Sequence, residues 1–119
     1  PSFFRMINQF LENDFRVFLT SDHGNIEALG CGKPSEGAIA DIRGERVRLY
    51  SDLLLRKQVR NSFPESLEWS PIGIPENCLP LIAPHRKAFI KEGVKTVSHG
   101  GVSVEEVIVP FIEIERKKS

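Results

Sequence analysis

The chain has 119 residues, 40% hydrophobic and 27% charged, the balance of an ordinary soluble globular protein. Its 16 Lys and Arg equal its 16 Asp and Glu. Zero net charge weighs against a dedicated nucleic-acid binder, whose phosphate contacts demand a basic excess. The length suits one domain or a piece of a larger one, with a small core.

Phe3, Phe4, Ile7, Phe10 and Leu11 form one apolar stripe at helical spacing, with Ser2 placed as an N-cap. Asn13-Asp14 breaks this helix. The run Val17-Phe18-Leu19 then predicts a strand buried on both faces, as in a parallel sheet covered by helices. A helix leading into a buried strand is half of an α/β unit. The segment from Ser21 to Gly37 reads as loop, rich in glycine. Ala38-Ile39-Ala40 and Val47-Arg48-Leu49-Tyr50 read as short strands around an Arg43-Gly44 turn. A helix starting at Ser51 follows, with Leu53, Leu54, Val59 and Phe63 as its apolar positions. Pro64 to Pro80 reads as an irregular connection. Leu81-Ile82-Ala83 and Lys87-Ala88-Phe89-Ile90 predict a hairpin around Pro84-His85-Arg86. Lys95-Thr96-Val97 predicts another strand. Ser103 and Glu106 have capping-box spacing, and Val107 to Ile114 is the most apolar run. Its first part, Val107-Ile108-Val109, predicts a strand buried on both faces. Pro110 marks a bulge or an edge, because it cannot donate to a sheet ladder.

Basic residues cluster at Arg43, Arg46, Arg48, Arg56, Lys57 and Arg60. Such a cluster is either a solvated face or an anion-attracting rim. Cys31 and Cys78 are far apart and outside any CxxC pair, so reduced thiols in a cytoplasmic protein account for both. No apolar run is long enough for a membrane span. The chain begins at Pro1 rather than Met, which reads as a piece of a longer protein.

Two short segments carry chemistry. Thr20-Ser21-Asp22-His23-Gly24-Asn25 lies just beyond a predicted strand end, where open α/β sheets form ligand sites. Adjacent Asp and His offer a hard oxygen and an imidazole nitrogen, a pair suited to zinc or manganese. A turn of Asp, His, Gly and Asn also forms for purely local reasons. Ser98-His99-Gly100-Gly101 follows a second predicted strand, and its two glycines point to a close backbone approach or a tight turn. Arg46 and Arg48 flank Val47 on one predicted strand face. There they form a phosphate clamp or a solvated or ion-paired face. His85 reads as a surface histidine, and Cys31 as a structural or incidental thiol.

The first segment resembles the T-x-D-H-G motif of the alkaline phosphatase superfamily, including the cofactor-independent phosphoglycerate mutases. The second, from His99-Gly100-Gly101 through Glu105-Glu106 to Val109-Pro110, is similar to the end of PglZ domains. Arg46 to Tyr50, Trp69 and Ala83-Pro84 fall in the order expected of that family. The resemblance spans the chain, residues 1–119, and implies the C-terminal part of a PglZ-like domain. The implied fold is α/β, a partial alkaline-phosphatase-like sheet with flanking helices.

The resemblance also implies a two-metal site with zinc or manganese. Asp22 and His23 would bind one ion and His99 the other, while Arg46 and Arg48 would meet the phosphate. The Ser or Thr nucleophile and the remaining ligands would lie upstream of Pro1, so this chain alone is expected to be inactive. The parent would hydrolyse phosphate esters or phosphodiesters in a bacterial phage-defence or signalling setting. Alternatively, it is a non-catalytic scaffold of a defence complex that keeps the fold. The expected partners are a phosphate-ester substrate, defence-complex proteins and a second copy of this chain, since a cut sheet exposes apolar surface.

Overall fold

In a computed structural model, residues 2–34, 38–39 and 45–117 are described; the turn read at Arg43-Gly44 lies outside them. In chain order the elements are α1 (Phe3–Glu12), β1 (Val17–Thr20), β2 (Ile26–Gly30), β3 (Ala38–Ile39), β4 (Val47–Tyr50) and α2 (Leu53–Ser62). They continue with β5 (Leu67–Glu68), β6 (Leu79–Ile82), β7 (Lys87–Ala88), β8 (Lys95–Ser98), α3 (Val104–Val107) and β9 (Phe111–Ile114). The result is mixed α/β, with small sheets and few helices. Two compact units divide the chain. One comprises residues 1–22 and 109–119, the other residues 23–108.

In the first unit, Ser2 caps α1 by accepting the Arg5 N–H at 3.4 Å. The helix ends at Asn13, and Asp14 takes φ 58°, the left-handed region that stops helical propagation. Of the predicted stripe, Ile7 is buried and Leu11 half-buried. β1 pairs antiparallel with β9, in the register Val17↔Ile114 to Thr20↔Phe111. The expectation of a parallel-type strand buried on both faces is corrected here. Phe18 is 43% exposed and Leu19 37%, because a two-stranded ribbon has no layers on both sides. Phe18 stacks on Phe111 instead, at 5.3 Å. Arg16 pairs with Glu113 at 2.8 Å and lies over the Phe18 ring.

Among the described residues the second unit holds two sheets. One has the order β7-β2-β8, the other β3-β4-β6-β5. β3 and β4 pair antiparallel as the sequence predicts. The predicted hairpin of Leu81-Ala83 with Lys87-Ile90 does not form. β6 pairs with β4 and β5, whereas β7 crosses to pair parallel with β2. The turn at His85 therefore passes the chain between sheets, and His85 itself is exposed with φ 43°. The predicted strand at Val107-Val109 is also replaced. Val107 ends α3, Ile108 is exposed, and β9 begins immediately after Pro110. A proline that cannot donate suits that position, just ahead of the ladder.

Tyr50, Leu81, Ala83 and Phe89 form the core of this unit, packed by Cys31, Leu55, Val59, Phe63 and Leu79. Phe63 meets Phe89 edge-on at 5.4 Å. α2 is capped by Asp52, which accepts the Leu55 N–H at 2.9 Å. It turns Leu55, Arg56 and Val59 inward and leaves Leu53 and Leu54 outside. Arg56 is buried and spends its Nη1 on the carbonyls of Trp69 (3.0 Å) and Pro80 (3.2 Å). That arginine anchors the proline-rich connection, which has few backbone ladders of its own. With Arg46 and Arg48 also buried, three members of the basic cluster are internal, while Lys57 and Arg60 are exposed on α2 and Arg43 lies outside the described residues.

Removing the Phe89 ring should destabilise the unit by about 3–5 kcal/mol, the usual range for an aromatic deleted from a packed core. Leu54 is 76% exposed, and Leu54→Ala should stay within about 0.5 kcal/mol. Urea midpoints of the two variants check this contrast, and equal effects would contradict the core assignment.

Candidate functional site

The register of β2 on β8 decides where the two histidines go. These strands pair antiparallel, with Ile26 opposite Ser98 and Leu29 opposite Lys95. The amino end of β2 and the carboxyl end of β8 therefore coincide. His23 precedes the first and His99 follows the second, so the pairing delivers both rings to one place. Their centroids are 3.8 Å apart with planes inclined by 15°. The strand-end expectation is refined accordingly, since His23 is placed by the strand that follows it. Asp22 is exposed and closes the other unit.

His23 Nδ1 lies 2.8 Å from the Gly24 carbonyl oxygen. A carbonyl only accepts, so in the neutral ring Nδ1 carries the proton and Nε2 keeps its lone pair. Below the pair, Ser98 is buried and its Oγ is 3.4 Å from Glu45 Oε2. Asn25, Glu45, Thr96, Val97 and His99 line an open depression of about 420 Å³.

Both histidine loops are tied to one residue, Glu106. Its backbone carbonyl accepts the Gly24 N–H at 2.8 Å. Its carboxylate accepts the Gly101 N–H at 2.9 Å and the Ser103 N–H at 3.2 Å. The glycines at 24 and 101 follow from this closeness. A Cβ on Gly24 would lie 1.8 Å from the Glu105 carbonyl oxygen, and one on Gly101 would lie 2.6 Å from Glu106 Oε2. Backbone is in the way in the first case, so no side chain fits there.

Glu106 is itself held by Arg46, and only 3% of it is exposed. Arg46 Nε meets Oε1 at 2.9 Å and Nη2 meets Oε2 at 3.0 Å, a bidentate pair. Arg46 Nη1 donates to the carbonyls of Ala83 and Lys87. Burial works against ionisation of Glu106, but the hydrogen bonds from Arg46, Gly101 and Ser103 together outweigh it. They lower the carboxyl from 4.5 to about 2.

Arg46 precedes β4 and spends its donors inside the unit, so the strand-face clamp read from the sequence has Arg48 alone on the strand. Arg48 is 4% exposed, and its Nε has no hydrogen-bond partner among the described residues. Cys31 donates its thiol to the Ala88 carbonyl, and burial pushes its pKa up, as befits a structural thiol. Among the described residues no group of three or more His, Cys, Asp or Glu is arranged to hold a metal ion. No helix among them is long and apolar enough to cross a membrane. In the sequence Glu106 stands out as a capping residue and as part of the family-like segment after His99, but not as the partner of Arg46, and nothing there signals Glu45.

Glu106→Gln should destabilise the chain by about 3–5 kcal/mol near neutral pH, because it leaves Arg46 buried without its charge partner. A carboxyl lowered in the folded state stabilises fully above its unfolded pKa. The stability gap between wild type and variant should therefore be widest above pH 4.5 and close as pH falls towards 2. Denaturation curves across that range check the sign, and a gap that widens in acid would contradict it.

A family model described as the BREX system PglZ alkaline phosphatase-like domain matches residues 2–114. No curated protein and no solved structure gives a significant match. The matched span takes in both histidine loops, the Arg46–Glu106 pair and all the elements described above. By that match the chain belongs to the PglZ family, as an alkaline phosphatase-like domain.

Proposed function

We propose that this chain supplies Asp22, His23 and His99 to the divalent-metal site of a phosphoesterase, acting on phosphate monoesters or diesters in a phage-defence setting. It would be the C-terminal part of the catalytic domain, with the Ser or Thr nucleophile contributed by residues upstream. The observation that carries the reading is the His23–His99 pair, with ring centroids 3.8 Å apart, in a chain of this family.

The donor chemistry fits a metal. A ligating histidine ordinarily gives its other ring N–H to a backbone carbonyl or carboxylate, and His23 Nδ1 has the Gly24 carbonyl for that purpose. Imidazole lone pairs lie in the ring plane. Two nearly parallel rings therefore direct them to neighbouring positions rather than to one ion between the faces. That favours one histidine per ion, in a site whose two ions stand about 3.5–4 Å apart. Such ions, zinc or manganese, would polarise the phosphoryl oxygen and lower the pKa of the attacking hydroxyl. The chain's own part is to fix the imidazole tautomers and keep the two rings together. Arg48 is the arginine left to meet a phosphate oxygen, since Arg46 is taken up by Glu106.

The rival reading is a scaffold that keeps the fold without turnover. The longer protein containing this chain separates the two. Its purified form should contain zinc or manganese and hydrolyse bis(p-nitrophenyl) phosphate. His99→Ala should lower that rate by more than about 100-fold, beyond the loss seen when only a ligand's supporting partner is changed. Metal-free protein with no hydrolysis under added zinc or manganese would support the scaffold. This chain alone should hydrolyse neither ester class.

A further inference from the structure

We infer that Glu106, locked by Arg46, is the positioning residue that sets the distance between His23 and His99; the inference rests on the reading of those histidines as ligands. Three observations carry it. First, Glu106 bonds to both loops at once, through its carbonyl to Gly24 N–H (2.8 Å) and through its carboxylate to Gly101 N–H (2.9 Å). Gly24 is the residue after one histidine, and Gly101 stands two after the other. Second, neither loop has slack. A Cβ at Gly24 would overlap the Glu105 carbonyl, and one at Gly101 would meet both Glu106 and Arg46. Third, the carboxylate is held at both oxygens by one planar guanidinium, whose Nη1 is in turn anchored on the Ala83 and Lys87 carbonyls.

A helix cap alone needs none of this. Capping α3 is accomplished by the Ser103 N–H bond to Glu106 Oε2, and an exposed Glu would do it equally well. Burial of the pair beneath the Gly101 loop is useful where the position of that loop must be fixed. A hydrogen-bonded charge pair with two fixed donors at one end and two backbone amides at the other resists both rotation and shift. The machinery thus extends from the ligands to a residue that acts through the backbone of their loops.

The first arm of the test uses the whole chain and needs no metal. Stacked imidazoles shift each other's ring C–H resonances upfield, so the His23 and His99 proton signals report the pair directly. Glu106→Gln keeps an amide oxygen for the Gly101 N–H but loses the charge that holds Arg46. In the folded variant the upfield shifts should be lost while the methyl signals of the Leu81 and Ala83 core stay in place. Arg46→Lys, measured alongside, keeps the charge but not the fork and should diminish the same shifts. Zinc affinity, titrated with the metal alone in the longer protein, should fall about 10–100-fold in Glu106→Gln.

Retention of the ring shifts in either folded variant overturns the proposal. If neither variant folds, hydrogen exchange of the unaltered chain decides. Gly24 and Gly101 amides that exchange at the rate of the most protected core amides sustain the shared anchor, and exchange at open-loop rates at either one removes it. Absence of zinc binding by the unaltered longer protein would count against the metal reading and leave the ring-shift result standing on its own.

Discussion

A bidentate ion pair between residues 60 positions apart, Arg46 and Glu106, organises the larger unit. Each partner also ties down backbone on its own side. The Arg46 carbonyl accepts the Ala83 N–H at 2.8 Å and the neighbouring Glu45 carbonyl accepts the Phe89 N–H at 2.7 Å. On the other side Glu106 receives the Gly24 and Gly101 amides. Strands of two different sheets and both histidine loops thus meet on one salt bridge. Buried pairs of this kind are poor sources of net stability, since desolvation offsets much of the Coulomb attraction. What the pair contributes is definition: its geometry admits one arrangement of the loops around it.

The interior of this unit is accordingly polar for its size. Arg46, Arg48, Arg56 and Glu106 are buried alongside a small aromatic and aliphatic core. Arg56 plays for the proline-rich connection the part that Arg46 plays for the histidine loops, bonding to the carbonyls of Trp69 and Pro80. Each proline removes a backbone donor from this segment, and the guanidinium adds donors to its carbonyls, joining the Trp69 N–H on the Pro80 carbonyl. Two arginines of the cluster that stands out in the sequence, Arg46 and Arg56, thus act as internal struts.

Much of the local structure was legible because it rests on short-range signals. Ser2 and Ser103 sit where capping chemistry puts them, and Pro110 stands just ahead of a strand, whereas the helix read from Ser51 starts at Leu53 with Asp52 as its cap. The two histidine segments were legible as motifs. What the sequence concealed were the long-range pairings. Leu81-Ala83 and Lys87-Ile90 carry a hairpin pattern, yet β7 is drawn to β2, because pairing partners are chosen by the whole sheet and not by the intervening turn. Val17-Phe18-Leu19 has the composition of an interior strand and lies in a two-stranded ribbon. The role of Glu106 was hidden for the same reason. Capping spacing is a local pattern, whereas an arginine sixty positions away leaves no mark on it.

The antiparallel register of β2 on β8 has a further consequence, for the order of events in folding. His23 and His99 come from distant parts of the chain, and nothing local holds either ring near the other. Closing so long a loop is entropically slow relative to forming a helix or a turn. The helices and the β3–β4 pair can form early, but the two imidazoles can meet only once the β2–β8 pairing, the most non-local one within the larger unit, is made. A nascent or partly unfolded chain would therefore present its histidines singly, as weak and unselective donors. The paired arrangement arrives as one of the last products of folding, which couples any metal chemistry at this end of the sheet to completion of the fold.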